Sequence, residues 1–311
     1  MTDLQIAPLP DAIFGAEIAG LDPLNITDRQ VTQIWDAHRE ALGLLCFRFD
    51  RLLEAEEHHA ITAVFGESEF APGRIVGIGR GRADDDLERT VEEQVEDLVA
   101  RGIDPFMTYL GNVNPNTLEK TDLPDKFFGE WEWHTDMSYI EVPPTFSLLH
   151  SREIPNDGGA TSYASQVMAA AELPDDLRTQ VDGILVKHDS TYGSSGLKRP
   201  GMVEPVTPID AIGHPHPVLR RVPATGQEAL FLGRRTNAYV MGMKLDESEA
   251  LLDELWEHAT QPRFRYVHDW AIGQVVVWDN RMLLHHRNPF DASERRFMWR
   301  TQTRGEAVIP A

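Results

Sequence analysis

The sequence predicts a mainly β protein of the sandwich or barrel type, with a few flanking helices. Short runs rich in β-branched and aromatic residues recur from residue 106 to residue 304. Clusters of Gly, Pro, Asn and Asp separate these runs and are typical of turns. Segments with the apolar periodicity of a helix are few, and many short strands with few helices indicate a sandwich or a barrel.

The N-terminal part is predicted to hold two helices around one strand. Thr27 is a suitable N-cap for a helix whose apolar residues recur every three or four positions up to Leu42. A strand is expected over Leu44–Phe49, followed by a second helix over about Leu53–Phe65. Gly66 comes next, at the position where glycine commonly ends a helix.

An acidic segment at residues 80–105 is predicted to be an insertion or lid over the core. Within it, the apolar residues between Val91 and Val99 form one narrow face, so this part is expected to be a helix. A structureless connection of this length would be unusual inside a compact domain. We therefore expect residues 1–311 to form a single domain that carries this insertion.

The elements predicted after residue 105 are mainly strands. Two helices interrupt them, near Gln166–Val181 and at Asp246–Ala259. The predicted strands cover residues 106–113, 145–154, 160–165, 184–190, 217–222, 228–233, 263–270, 274–280 and 295–304.

Charge and composition exclude several classes of function. The chain has 311 residues, with 29 Lys and Arg against 50 Asp and Glu, which gives a net charge of −21. Nucleic acids and anionic membranes are bound by clustered basic residues, so neither is an expected partner. The N-terminus lacks the pattern of a secretory signal and no apolar stretch of about 20 residues is present, so we expect a cytoplasmic protein. The single cysteine, Cys46, lies in an apolar run and is expected in the core.

Two histidines and an aspartate are candidate metal ligands. His134 and Asp136 are separated by one residue, and a distant His285-His286 pair follows a predicted strand. A His-x-Asp pair with one further histidine is the ligand set of a 2-His-1-carboxylate facial triad, which leaves positions on Fe(II) open for a 2-oxo acid and O2. Zinc hydrolases also use two histidines and a carboxylate, so the ligand types alone do not select the reaction.

Two arginines near the C-terminus are candidate anion-binding groups. Arg296 and Arg300 are four residues apart, so on a strand both point to the same face. A guanidinium directed into a β barrel is costly unless it meets an anion, and it fits a carboxylate, such as the distal end of 2-oxoglutarate, with two hydrogen bonds. A solvated edge strand would carry the same spacing, and at this point that alternative stays open.

Together these residues form a pattern that resembles the taurine dioxygenase and 2,4-dichlorophenoxyacetate dioxygenase (TauD/TfdA) family of Fe(II)- and 2-oxoglutarate-dependent enzymes. The resemblance covers most of the chain. Arg296 and Arg300 follow His285 by 11 and 15 residues, as they do in the family. The other motifs that carry the resemblance are Trp133–Asp136 followed by Pro143-Pro144, Gly158–Thr161 and Trp278–Arg281.

The resemblance implies a fold and a set of site residues. The implied fold is a double-stranded β-helix, or jelly roll, of the cupin-like type. His134, Asp136 and His285 are implied as ligands of Fe(II), and Thr161 and Arg296 as contacts of 2-oxoglutarate. The implied reaction uses O2 as the further cosubstrate, hydroxylates a C–H bond of a small anionic substrate, and releases succinate and CO2. Relatives form dimers and tetramers, so a homo-oligomer is expected.

The substrate is expected to be a small carboxylate. The resemblance places Arg300 on the anionic group of the substrate, and we expect main-chain N–H groups near Met137 to be the other donors. Ala71 stands where taurine dioxygenase carries a sulfonate-binding histidine, and two donors suit a carboxylate better than a sulfonate. A sulfonate or an alkyl sulfate remains the alternative substrate if Lys198 or Arg199 replaces that histidine.

Two alternatives from other classes remain. A zinc hydrolase on the same triad would act without O2 or 2-oxoglutarate, whereas a cupin-like binding protein without catalytic activity would not need all three metal ligands. The remaining histidines are assigned no catalytic role. His286 is expected to pack beside the metal site, and His58 and His59 to be solvated among neighbouring glutamates.

Overall fold

The computed structural model describes residues 3–70 and 90–311, and it confirms a mainly β molecule with flanking helices. The helices are α1 Asp28–Glu40, α2 Ala55–Phe65, α3 Val91–Ala100, α4 Asp125–Phe128, α5 Gln166–Ala171, α6 Asp175–Val181 and α7 Leu245–Ala259, with short 3-10 turns at Pro208–Asp210 and Pro262–Phe264. Within the described residues, no helix is both long and apolar enough to cross a membrane.

The strands of the described residues form one seven-stranded sheet and three three-stranded sheets. In chain order they are β1 Gln5–Pro8, β2 Ala16–Ala19, β3 Leu44–Phe47, β4 Thr108–Gly111, β5 Phe146–Glu153, β6 Thr161–Ser165, β7 Leu185–Lys187, β8 Pro215–Pro217, β9 Leu219–Arg221, β10 Glu228–Leu230, β11 Tyr239–Val240, β12 Arg265–His268, β13 Val275–Asp279, β14 Leu283–Arg287, β15 Phe297–Gln302 and β16 Ile309–Pro310. The large sheet has the order β1-β2-β3-β13-β5-β15-β4, in which β2 and β3 are parallel and the other neighbours antiparallel. The small sheets are β10-β9-β16, β11-β7-β8 and β12-β6-β14.

Alternate residues of the large sheet belong to two different parts of the core. Phe47 packs with Ile34 of α1 and Ile61 of α2, so these two helices cover one face of the sheet. Cys46, its neighbour on β3, packs on the other face with Trp278 of β13. Successive side chains of a strand point to opposite faces, so the sheet is buried on both faces at β3. Cys46 is fully buried, as predicted.

The β12-β6-β14 sheet packs against that second face of the large sheet. Tyr163 of β6 and Leu283 of β14 share a core cluster with Trp278, and the Tyr163 and Trp278 rings are 5.8 Å apart. β14 is absent from the predicted strands because its sequence, Leu-Leu-His-His-Arg, carries polar residues on both faces. It is nevertheless the strand that carries His285.

The N-terminal helices agree closely with the prediction. Thr27 caps α1 through a capping box with Gln30. The second helix begins at Ala55 rather than Leu53, because Glu54 serves as its N-cap in a capping box with Glu57.

Two predictions about helices are wrong. The single helix expected near residues 166–181 is two helices, because Pro174 stands at the N-cap of α6 and has no N–H for a continuous helix. His58 is fully buried rather than solvated: α2 packs on the large sheet, and His58 Nε2 lies 3.0 Å from Thr301 Oγ1 of β15. His59 is half-buried, with its Nε2 2.6 Å from Asp104 Oδ2.

The acidic segment contains the expected helix. Thr90 caps α3 in a capping box with Glu93, and Leu98 on its apolar face is buried. Residues 80–89 lie outside the described residues, so the insertion or lid at 80–105 stays a prediction.

Candidate active site

His134 and His285 lie side by side because two extended segments pair at this point. An isolated β-bridge joins His134 to His285 of β14. The main-chain N–H of each residue donates to the carbonyl of the other, both at 2.9 Å. Their ring centroids are 4.2 Å apart, so residues 151 positions apart in the sequence present two imidazoles together.

Asp136 completes a compact group of three. Its Oδ1 lies 3.6 Å from His134 Nε2 and 3.8 Å from His285 Nε2. Its Oδ2 accepts hydrogen bonds from Ser147 Oγ at 2.7 Å and from Gln302 Nε2 at 3.2 Å. These two donors, from β5 and β15, hold the carboxylate so that Oδ1 faces the imidazoles.

The three side chains fit a divalent metal ion. All three are buried, and their ligand atoms lie within 4.8 Å of one another. Metal–ligand bonds of about 2.1 Å place neighbouring ligands about 3 Å apart, so small side-chain adjustments would bring these atoms around one ion. His134 Nδ1–H donates to the Glu132 carbonyl at 2.9 Å, an arrangement that leaves Nε2 with a free lone pair for a metal.

The protonation states also favour metal binding. Burial lowers the pKa of His285 well below its ordinary value, and the neighbouring His134 adds to this effect. Burial alone would raise the pKa of Asp136, but the neighbouring Arg300 guanidinium holds that pKa well below its ordinary value. The site therefore presents a neutral imidazole and an ionised carboxylate, which are the forms that bind metal ions.

A cavity adjoins these three groups. Its apolar walls include Leu110, Trp131, Leu149 and Trp278. Its polar lining includes His134, Asp136, His285, Thr161, Ser194, Arg287, Arg296 and Arg300. Three guanidiniums beside one carboxylate give this cavity a positive charge, which suits an anionic ligand.

Arg296 and Thr161 both line the cavity. Asn112 holds the main chain of Arg296, since its Oδ1 accepts from the Arg296 N–H at 2.8 Å and its own N–H donates to the Arg296 carbonyl at 3.0 Å. Burial lowers the pKa of Arg296 to about 10, and its Nε is buried with no hydrogen-bond partner in the described chain. The Thr161 hydroxyl accepts from Trp270 Nε1 at 3.0 Å, so its own O–H remains available to a ligand.

Of the three arginines that line the cavity, Arg300 lies closest to the three candidate metal ligands. Its Nη1 is 3.5 Å from Asp136 Oδ1, and its side chain is 22% exposed. Its Nε is buried without a hydrogen-bond partner among the described residues. A cation with an unpaired Nε–H therefore lies beside the group of three and lines the same cavity as Arg296.

The other residues considered as substrate contacts are placed differently. Met137 is half-buried with a left-handed backbone at φ 48°, and it is not part of the described cavity wall. Lys198 is exposed, and Arg199 stacks on the Tyr139 ring at 4.1 Å while donating to a main-chain carbonyl. Ala71 lies outside the described residues.

Three residues that support the cavity were not identified from the sequence. Asn112 and Trp270 act through hydrogen bonds across the fold, which leave no signal in the local sequence. Arg287 had such a signal, because it lies two residues after His285 and a strand points both to one face. His286, between them, packs on Trp133 with ring centroids 4.1 Å apart, as expected.

Comparisons with known proteins relate most of the chain to one family. The sequence profile described as taurine catabolism dioxygenase TauD, TfdA family matches residues 5–302. An (S)-phenoxypropionate/alpha-ketoglutarate-dioxygenase of Sphingobium herbicidovorans is 30% identical over 97% of this chain and 95% of its own. An alpha-ketoglutarate-dependent sulfate ester dioxygenase of Pseudomonas putida is 31% identical over 57% of this chain and 60% of its own. The crystal structure of a taurine dioxygenase from Burkholderia xenovorans superposes with a TM-score of 0.70 at 28% identity, covering 99% of this chain and 92% of that one.

Proposed function

The chain belongs to the taurine catabolism dioxygenase family (TauD, TfdA), and we propose that it uses Fe(II), 2-oxoglutarate and O2 to hydroxylate a C–H bond of a small carboxylate substrate. It is an oxidoreductase of the alpha-ketoglutarate-dependent dioxygenase class. The observation that carries the proposal is the buried group of His134, Asp136 and His285 beside a cavity lined with arginines.

Fe(II) is the metal that this donor set suits best in this setting. Two imidazoles and one carboxylate fill one face of an octahedral ion and leave the other face open. When bound, Fe(II) supplies the O2 chemistry that converts a C–H bond to C–OH while 2-oxoglutarate is split into succinate and CO2. Ser147 and Gln302 donate to Oδ2 of Asp136, the carboxylate oxygen that faces away from the imidazoles. These hydrogen bonds fix the orientation of the carboxylate before a metal binds.

The cosubstrate would be held by Arg296 and Thr161. A buried guanidinium without a carboxylate partner is costly in an apolar interior, and the distal carboxylate of 2-oxoglutarate would neutralise it. The free Thr161 O–H would donate to the same carboxylate.

The substrate anion would be held by Arg300, close to the metal ligands. One guanidinium offers two parallel donors, which match the two oxygens of a carboxylate. The apolar walls formed by Leu110, Trp131 and Leu149 suit an aromatic or branched apolar body attached to that carboxylate. The relative that acts on (S)-phenoxypropionate, an aryloxy carboxylate, supports this choice.

The fold, the location in the cell and the oligomeric state of the enzyme are also part of the proposal. We propose that the packed sheets form a double-stranded β-helix, and that residues 1–311 are a single domain with the 80–105 segment as a lid. The enzyme would be a cytoplasmic homo-oligomer, a dimer or a tetramer. Main-chain N–H groups near Met137 are proposed to complete the substrate site.

Steady-state assays of succinate formation test this function. An aryloxyacetate, taurine and an alkyl sulfate are compared as substrates in the presence of Fe(II), 2-oxoglutarate and O2. The proposal predicts the highest kcat/KM for the aryloxyacetate. Best turnover of the alkyl sulfate would favour the relative that acts on sulfate esters, and product formation without O2 or 2-oxoglutarate would indicate a zinc hydrolase.

A further inference from the structure

Arg287 occupies a special position in the strand that carries His285. Side chains two residues apart on a strand share a face, so Arg287 and His285 point to the same side of β14. On the neighbouring strand β6, Thr161 is the direct register partner of Arg287. Cross-strand partners lie side by side on one face of a sheet, and Arg287 lines the same cavity as Thr161, Arg296 and His285.

The guanidinium of Arg287 has only neutral partners. Its Nη2 donates to the carbonyls of Phe127 and Gly129, the latter at 3.0 Å, and its Nη1 donates to the Asn288 carbonyl at 3.2 Å. The Trp131 ring centroid lies 4.7 Å from its central carbon, with two phenylalanine rings at similar distances. Within the described parts of the chain, no carboxylate forms an ion pair with it, and its buried Nε has no hydrogen-bond partner.

Two uncompensated buried cations therefore share one cavity. Arg287 and Arg296 are 4% exposed each, and neither has an acidic partner among the described residues. Two buried like charges without a counter-charge are unfavourable, so this part of the cavity is built for an anion. A carboxylate has about four lone-pair positions, which is enough to accept from two guanidiniums and a hydroxyl together.

We propose that Arg287 is a second cation for the distal carboxylate of 2-oxoglutarate, acting with Arg296 and Thr161 to select 2-oxo acids that carry two carboxylates. This inference rests on the proposed function. The buried Nε–H of Arg287, which has no partner among the described residues, is the donor left for that contact, while its carbonyl partners and the Trp131 ring fix the side chain. The alternative role is purely structural, in which Arg287 only ties residues 127–131 to β14.

Ligand binding separates the two roles. The probes are 2-oxoglutarate and 2-oxopentanoate, which has the same carbon chain with a methyl group in place of the distal carboxylate. Dissociation constants are measured by calorimetry on the Mn(II)-loaded protein, so no turnover is needed. The measured quantity is the ratio of the two dissociation constants, because a general disturbance of the cavity weakens both ligands alike.

Arg287→Gln removes the charge but keeps an amide donor for the carbonyls of residues 127 and 129. Loss of a charge-assisted contact predicts that the preference for 2-oxoglutarate over 2-oxopentanoate falls about 10-fold or more. Arg287→Lys restores the charge and should restore part of the preference. Arg287→Met serves as a second neutral variant if the glutamine variant does not fold.

The matched control is Arg295→Gln, since Arg295 neighbours Arg296 but pairs with Glu153 outside the cavity. The ratio of the dissociation constants for 2-oxopentanoate and 2-oxoglutarate in this variant should stay within about twofold of the ratio in the unmodified protein. An unchanged ratio in Arg287→Gln or Arg287→Met, with both ligands weakened equally or not at all, overturns the proposal and leaves only the structural role. Failure of the unmodified protein to bind 2-oxoglutarate overturns the proposed function itself, a result distinct from the loss of preference.

Discussion

At the residue scale, β14 carries a natural pair of test positions for the metal site. His285 and His286 are adjacent and point to opposite faces, one toward Asp136 and the other onto Trp133. His285→Ala removes a ligand and should abolish both turnover and tight Mn(II) binding. His286→Ala should keep Mn(II) affinity within about threefold, and calorimetry on both variants measures this. Equal metal affinity in the two variants would contradict the assignment of His285.

A second prediction concerns the cosubstrate. Arg296→Ala leaves the distal carboxylate of 2-oxoglutarate without its bidentate partner, a loss of about 2 kcal/mol, or roughly 30-fold. The KM for 2-oxoglutarate should rise by that factor. Arg295→Ala removes the neighbouring half-buried arginine, which pairs with Glu153, and should leave this KM unchanged. A KM that stays constant in Arg296→Ala would contradict the assignment of Arg296 to the cosubstrate.

Arg300 supports a third prediction at this scale. Because its guanidinium is the cation nearest the metal ligands, Arg300→Ala should raise the KM for a carboxylate substrate about 10-fold or more. The KM for 2-oxoglutarate should change much less. A larger effect on 2-oxoglutarate than on the substrate, in the same steady-state assays, would reverse the assignments of Arg296 and Arg300.

Single residues also show what the sequence could and could not predict. The residue types indicated His134, Asp136 and a histidine of the 285–286 pair as a possible ligand set, and the resemblance to the family then singled out His285. Trp270 and Asn112 could not be found this way, since both act through hydrogen bonds to residues far away in the sequence. Their roles depend on strand register, which the local sequence does not encode.

At the element scale, the pairing of β4 with β15 determines where Arg296 lies. Gly111 has φ +130°, and a Cβ at this position would stand 1.8 Å from the Arg296 carbonyl oxygen. Gly111→Ala must therefore push the two strands apart. We expect a loss of about 2 kcal/mol or more in unfolding free energy, with about 10-fold weaker 2-oxoglutarate binding.

The control for this prediction is Gly226→Ala. Gly226 also has a positive φ, +73°, but has no atom within 4 Å of its added Cβ. Gly226→Ala should lower the free energy of unfolding through backbone strain, without any change in 2-oxoglutarate binding. Chemical denaturation and calorimetry measure both properties, and equal binding in the two variants would contradict the role of the β4–β15 contact.

Elements with strong local signals were predicted well, and those set by tertiary contacts were not. The capping box at Thr27 fixes the start of α1 from within the sequence. β14 has no alternation of polar and apolar residues, because it is buried on both faces and carries site residues on one of them. Pro174 is a signal for a helix boundary, but the residues on either side of it favour a helix, so the sequence predicts one continuous helix there.

At the scale of the whole molecule, buried histidines make stability depend on pH. His58 and His150 are fully buried and stack with ring centroids 5.8 Å apart. Burial, and then Arg152, lowers the pKa of His150 to about 3, while burial, and then His150, keeps the pKa of His58 well below its ordinary value. Below about pH 6.5 the unfolded chain therefore binds more protons than the folded chain. The contribution of these histidines to the free energy of unfolding is fully present above that pH and is lost as the pH decreases.

His150→Phe tests this dependence while keeping an aromatic ring against His58. One histidine that stays neutral in the folded state accounts for a loss of about 2 kcal/mol between pH 7.5 and pH 5. Urea unfolding at several pH values should show a fall that is smaller by about that amount in the variant. An unchanged pH dependence would mean that His150 is protonated in the folded protein.

The central claim is that His134, Asp136 and His285 hold Fe(II) in a cavity that also binds 2-oxoglutarate and a carboxylate substrate. Anaerobic titration followed by visible absorption tests it most directly, because a 2-oxo acid that chelates Fe(II) produces a metal-to-ligand charge-transfer band. The claim predicts that this band forms with the unmodified protein, shifts when an aryloxyacetate is added, and is absent in His285→Ala. A band of full intensity in His285→Ala, or no band in the unmodified protein, would contradict it.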